Sequence, residues 1–270
     1  MQKEFPGLEL TIDGAVATIR FNRVEKKNAV SPEMHAAMHS ILDRIEADDG
    51  VSIVVLTGTG DVFCGGMDLE KYFLDAYSTP TRFRENLAVS HTWMRRWLSL
   101  SRVTIAAING LCFGGGLLIA NLCDIAIAAE EATFGLSEVN FGIFPSGGTT
   151  WSVAQVFPRR HALYYALTAE TFTGTRAVEI GVAIRAVPRA RLDQEIAQLV
   201  NVLKHKNREA LHYTKRVYER VRTMTFPDAQ QYEVAMLHEL TYHTDAAWIR
   251  RALEKFKRRE YRPGIESFEE

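Results

Sequence analysis

Strands alternating with helices predict an α/β fold that ends in a helical C-terminal section. SIVVLTG (52–58), VTIAAING (103–110) and DIAIAA (124–129) are short, continuous apolar runs, the pattern of strands buried on both faces. Segments of helical spacing separate them, so crossovers join parallel strands. Beyond Leu192 the chain reads as almost wholly helical, with dense alternating charge. These observations set an α/β core over residues 1–190 and a helical section over 191–270.

The elements follow in order. LELTIDGAVATIRFN (8–22) holds two alternating runs around Asp13-Gly14, a hairpin signal. SPEMHAAMHSILDRIEADDG (31–50) reads as a helix with Ser31 as N-cap and Pro32 as its first residue, ending at Gly50. GDVFCGGMDLEKYF (60–73) is irregular, and a helix follows over about 80–99. NGLCFGGGLLIANLCD (109–124) places three consecutive glycines where a strand ends and an apolar helix begins. TWSVAQVF, RRHALYYALTAE and TRAVEIG are short amphipathic helices, and VAIRAV (182–187) is a lone strand. No fixed-period repeat is evident.

Composition excludes several classes. The chain has 270 residues, 47% apolar and 24% charged, with a net charge of −1, so no general attraction to nucleic acid or anionic lipid is expected. The apolar runs are too short to span a membrane, and MQKEFPGLEL has no signal-peptide core. The three cysteines, Cys64, Cys112 and Cys123, form no C-x-x-C pair, in keeping with a reducing cytoplasm. His35 and His39 stand four apart on one helix, but no carboxylate or third histidine joins them, so no metal site is expected. Ser146 lacks the G-x-S-x-G elbow of a serine hydrolase. Asp68 reads as a helix cap.

The glycine-rich junction admits two chemical readings. A phosphate cradle fails, because neither G-x-G-x-x-G nor a following Lys-Ser or Lys-Thr is present. An oxyanion hole fits, since glycines let backbone N–H groups approach a substrate oxygen without a Cβ in the way. Close helix–sheet packing also accounts for the glycines taken alone. A second donor is available in the Gly65-Gly66-Met67 loop, directly after a buried strand. Glu138 lies in FGLSEVNFGIFPSGG (134–148), so it is either solvent-facing or desolvated, with a raised pKa suited to proton transfer. Two glycine loops and an apolar-embedded glutamate suit polarising a carbonyl and moving a proton beside it.

In order and spacing, NRVEKKNAVSPEM, VVLTGTGDVFCGGMDL, AAINGLCFGGG, CDIAIAAEEATFGLSEVNFGIFP and ALTAETFTGTRAVEIG resemble the enoyl-CoA hydratase/isomerase (crotonase) superfamily. GMDLEKYF, NGLCFGGG, EATFGLSEVNFGI and the terminal YRPGIESF resemble its hydroxycinnamoyl-CoA hydratase-lyases. The resemblance implies a crotonase-like spiral of ββα units and a C-terminal section that assembles trimers or dimers of trimers. It also implies an acyl-CoA thioester as substrate, coenzyme A entering only as part of it, with no prosthetic group. Met67 and Gly115 match the oxyanion donors, Glu138 the acid/base glutamate and Tyr72 a substrate-pocket tyrosine. Lys26, Lys27 and Ala29 match a CoA-binding loop, and Phe256 and Lys257 a C-terminal helix that reaches CoA.

Two positions depart from the pattern. The first glutamate of two-glutamate hydratases corresponds to Leu118, and the phenol-recognising tyrosine of the hydratase-lyases corresponds to Val234, with Tyr232 on roughly the opposite helix face. Leu118 resembles the single-glutamate enoyl-CoA isomerases. With Leu117 and Phe141 it is expected to desolvate the site, and Leu118, Phe141 and Val234 are expected in the substrate pocket. The reaction expected is hydration or hydratase-lyase cleavage through a thioester enolate, with single-glutamate isomerisation as the alternative. A non-catalytic binding protein has only the basic KFKRRE run (255–260) in its favour.

Overall fold

The structure, a computed structural model, describes residues 5–74 and 79–263, apart from the Phe73 side chain. Residues 264–268 of the YRPGIESF match lie outside the described residues.

The N-terminal hairpin forms as its alternation predicts. β1 (Leu8–Asp13) pairs antiparallel with β2 (Val16–Phe21), Asp13 facing Val16, so Gly14 and Ala15 form the two-residue loop. Gly14 supplies the positive φ there, +54°. On β2 the buried side chains alternate, with Ala17, Ile19 and Phe21 inside. β3 (Ile53–Gly58) and β5 (Val103–Ile108) are buried at every residue, which is why both read as unbroken apolar runs. With β7 (Ile125–Ala129) and β10 (Arg185–Val187) they complete a six-stranded sheet in the order β1-β2-β3-β5-β7-β10, in which β2–β3, β5–β7 and β7–β10 pair parallel. The expected lone strand at 182–187 is therefore a sheet edge, paired with β7.

A second sheet was not visible in the sequence. β4 (Val62–Cys64), β6 (Leu111–Phe113), β8 (Thr133–Gly135) and β9 (Phe172–Thr173) form it in that order. β4, β6 and β8 run parallel, and each directly follows a strand of the larger sheet. A helix then closes each unit: α2 (Pro80–Leu98) after β4, α3 (Gly115–Asn121) after β6, and α4 (Thr149–Val156) after β8. This strand–strand–helix recurrence is the spiral of ββα units. Buried Asn109 stitches the turn between β5 and β6 to its neighbour, its amide donating to Gly58 O and Gly60 O and accepting from Gly58 N.

α1 (Pro32–Ala47) starts where expected, Ser31 Oγ accepting from Met34 N at 3.4 Å, and ends before Gly50. It packs on α2 over a core that includes Met34, Ile41, Trp93 and Trp97. Further short helices, α5 (Arg159–Thr168) and α6 (Gly174–Glu179), precede β10.

Contacts divide the chain into two compact units, Met1–Leu100 with Thr104–Ile196, and Ser101–Val103 with Ala197–Glu270. α7 (Leu192–Lys204) runs through the boundary, and the second unit contains α8 (Arg208–Val221), α9 (Phe226–His243) and α10 (Ala247–Lys257). Within it, Glu239 on α9 accepts from Tyr213 and Arg216 on α8. No helix among the described residues is long and apolar enough to cross a membrane.

Candidate active site

Because β4, β6 and β8 are adjacent parallel strands, the segments that leave their C-terminal ends come together. These segments are Gly65–Met67, Gly114–Gly115 and Ser137–Glu138, and all of them line one cavity of about 460 Å³. Ligands of parallel sheets commonly bind at such strand ends. The elements are local in sequence, but only the unseen second sheet brings them side by side.

Met67 pairs with Val30 in an isolated parallel bridge. Val30 N donates to Gly66 O (2.8 Å) and Asp68 N donates to Val30 O (2.9 Å). In a parallel ladder the residue between such bonds turns its own N–H away from the partner strand. Gly115, the first residue of α3, has no carbonyl one turn earlier to receive its N–H. The two donors' segments touch: a Cβ at Gly115 would stand 2.5 Å from Met67 Cε, and one at Gly66 would stand 3.7 Å from Gly115 N.

Glu138 opens a short 3-10 turn, Glu138–Phe141, closed by Gly142 N bonding to Val139 O. Its carboxylate lies against Gly114, where a Cβ would come within 2.8 Å of Oε1, and Oε2 is buried with no hydrogen-bond partner among the described residues. Burial raises its pKa above the usual range, with its own backbone N–H partly opposing the shift. Glu138 is the one carboxylate among the described lining residues. Phe141 lines the cavity and is largely exposed.

Tyr72 also lines the cavity, buried, its hydroxyl without a partner among the described residues. Burial, then the charges of Glu33 and Asp68, raise its pKa, so it is a neutral phenol that can donate. His35 packs edge-on to it, ring centres 6.0 Å apart, and accepts a 2.7 Å bond from Trp93 Nε1. His35 is thus a core residue, while half-buried His39 meets Val89 O; no metal-binding group forms among the described residues. Ser146 lies in the cavity wall.

The Lys26–Ala29 segment runs beside the first glycine loop, Gly65 N donating to Lys27 O at 2.8 Å. Lys26 and Lys27 are exposed, Lys26 paired to Glu70 at 2.9 Å. Lys27 and Asn28 both take left-handed backbone, φ +52° and +55°. Arg23 carried no expectation from the sequence, and Asn28, within the Lys26–Ala29 segment that resembles a CoA-binding loop, was not expected to be buried. Asn28 is fully buried, its amide donating to Val62 O and Thr59 O; a non-glycine turn residue within a charged loop was the available signal. Asp68 caps as expected, accepting from Lys71 N, and also pairs with Arg23 at 2.7 Å.

Leu118 differs from expectation. It is buried in the core and does not line the cavity, its methyl groups facing Gly148, because the glycine end of α3 reaches the cavity and the next turn points inward. Val234 on α9 and Phe256 and Lys257 on α10 are exposed and belong to the second unit.

Comparison with known proteins agrees with this layout. The profile of the enoyl-CoA hydratase/isomerase family matches residues 11–261. A hydroxycinnamoyl-CoA hydratase-lyase of Pseudomonas fluorescens is 36% identical over 86% of this chain and 85% of its own. An enoyl-CoA hydratase from Bacillus anthracis superposes with a TM-score of 0.84 at 26% identity, covering 94% of this chain and 96% of that one. A protein from Thermobifida fusca described as a putative enoyl-CoA hydratase in complex with CoA superposes with a TM-score of 0.83 at 26% identity, covering 92% and 98%. The chain belongs to the enoyl-CoA hydratase/isomerase family.

Proposed function

We propose that this enzyme cleaves an unsaturated acyl-CoA by hydration and retro-aldol fission through a thioester enolate, as a hydratase-lyase. The observation that carries the reading is the contact of the Glu138 carboxylate with Gly114, beside the touching Met67 and Gly115 segments. A thioester oxygen set between the N–H groups of Met67 and Gly115 gains negative charge where two donors await it. Glu138, desolvated and with its buried Oε2 free of hydrogen-bond partners among the described residues, then works on the adjoining carbons. In hydration it takes a proton from water as the oxygen attacks Cβ, the electron pair moves onto the thioester oxygen, and the enolate is protonated at Cα. In cleavage it takes the β-hydroxyl proton, the Cα–Cβ bond breaks, the aldehyde leaves, and protonation of the remaining enolate gives the shortened acyl-CoA.

Tyr72 and Phe141 belong to the acyl pocket in this reading, as does Val234, which matches in sequence the phenol-recognising position of the hydratase-lyases. Lys26, Lys27 and Ala29, with Phe256 and Lys257, hold the CoA moiety. The helical section assembles trimers or pairs of trimers, and the enzyme works in the cytoplasm.

Isomerisation is the second reading, favoured by Glu138 being the one carboxylate among the described residues that line the cavity. Moving a proton between two carbons of one enolate needs one base, whereas adding water also requires the water to be oriented. Separate incubations with feruloyl-CoA, crotonyl-CoA and 3-hexenoyl-CoA, with products weighed, discriminate the outcomes. Aldehyde release is the expected result; gain of one water alone indicates a hydratase, and a shifted double bond at unchanged mass an isomerase.

A further inference from the structure

The Met67 amide is the end of a hydrogen-bonded chain that begins on a half-buried cation, Arg23. Arg23 Nη1 donates to Ala29 O at 3.0 Å. The Ala29 carbonyl and the Val30 N–H are the two ends of one trans peptide group, and Val30 N donates to Gly66 O at 2.8 Å. The Gly66 carbonyl and the Met67 N–H are again the two ends of one peptide group. Since each planar trans group points its N–H opposite to its C=O, fixing the carbonyl fixes where the N–H aims. Bonds in such a series also polarise one another, so a cation at the head strengthens the donor at the tail.

The guanidinium is itself held. Its Nη1 lies 2.7 Å from Asp68 Oδ2, with the two side chains 17% and 5% exposed. Asp68 is also bound on both sides, its N–H donating to Val30 O and its Oδ1 accepting from Lys71 N. Burial pulls the Asp68 carboxyl upward, but the Arg23 and Lys71 hydrogen bonds and the charges of Arg23 and Lys26 hold it below its usual range, so it stays ionised. The Arg23 backbone joins the same assembly, donating to Asn28 Oδ1 at 2.9 Å. A surface pair would carry little energy, but one so enclosed fixes geometry.

We propose that Arg23, anchored by Asp68, is a positioning residue that aims and polarises the Met67 N–H through the Ala29–Val30 and Gly66–Met67 peptide groups. This rests on the reading of Met67 as an oxyanion donor. The substrate carbonyl thereby receives part of the guanidinium's charge without touching it.

The test uses full-length protein and benzoyl-CoA labelled with carbon-13 at the thioester carbonyl, a thioester whose Cα and Cβ belong to an aromatic ring that resists hydration. Infrared difference spectra read the carbonyl stretch of the bound molecule. In the native protein the band moves to lower frequency; in Arg23→Met it returns most of the way toward the free value, Arg23→Lys retains much of the shift, and Asp68→Asn falls between. Turnover of feruloyl-CoA by Arg23→Met falls in kcat by about 10²-fold, the loss expected of a misplaced group, while KM stays within about threefold. Band position does not depend on the fraction folded, so a less stable variant still reports. An unmoved band in Arg23→Met overturns the relay while leaving Met67 as donor. A native protein that binds benzoyl-CoA without displacing the band, or does not bind it, overturns the oxyanion reading itself.

Discussion

The carboxylate of Glu138 rests on the backbone of Gly114, so close that a Cβ there would stand 2.8 Å from Oε1. Gly114 also takes φ +48° and ψ −113°, a conformation that side-chain-bearing residues rarely adopt. Gly114→Ala should therefore lower stability by about 1–3 kcal/mol and push Glu138 off its position, so that kcat falls further than the stability loss explains. Thermal melting and turnover, measured on the same preparation, separate the two effects.

The next glycines along the helix start should behave differently from each other. A Cβ at Gly115 meets the flexible end of the Met67 side chain, whereas one at Gly116 meets the Cys64 backbone carbonyl, which has little room to move. Gly115→Ala is expected to fold near normally and lose activity by crowding the oxygen site. Gly116→Ala is expected to fold poorly. Chemical denaturation curves of the two variants give the comparison.

Glu138→Gln should lose about 10²–10⁴-fold in kcat. It should also gain stability at neutral and alkaline pH. The folded carboxyl holds its proton above the ordinary 4.5 because burial opposes the charge, so between 4.5 and the raised value the folded state binds more protons than the unfolded chain. Native stability contributed by this group is therefore lost as pH rises through that window, and an uncharged glutamine removes the loss. Melting temperatures of both proteins at pH 4 and pH 8 check the sign: the variant's advantage should appear only at the higher pH.

His35 gives the opposite slope. Burial, then the nearby His91 and His39, lower its pKa from 6.5 to about 3, so below pH 6.5 the unfolded chain takes up a proton that the folded state refuses. Stability should fall by about 1.4 kcal/mol per pH unit as pH drops through that window. His35→Gln, which keeps an acceptor for Trp93, should flatten that part of the curve in denaturant titrations at stepped pH.

The parts of the fold legible in the sequence were those with strong local signals. β3 and β5 announced themselves because both faces are buried, and Ser31-Pro32 marked the start of α1. β4, β6 and β8 have three residues each, too short for either period to register, so GDVFC looked irregular. That second sheet is what gathers Met67, Gly115 and Glu138. Their proximity could be expected from the glycine loops and the resemblance, but its cause could not. Arg23 was hidden for another reason: its partners Ala29 and Asp68 are set by tertiary pairing, and a lone arginine in a charged loop reads as a solvated side chain.

In the proposed mechanism one glutamate, Glu138, works beside two backbone donors, Met67 and Gly115, on a bound acyl-CoA. The most direct measurement follows aldehyde and acetyl-CoA released from feruloyl-CoA by the native protein and by Glu138→Gln, with binding of the CoA ester measured alongside. Equimolar products are expected from the native protein, and the variant is expected to bind the ester with similar affinity but release neither product at an appreciable rate. A Glu138→Gln variant with native turnover would contradict this mechanism.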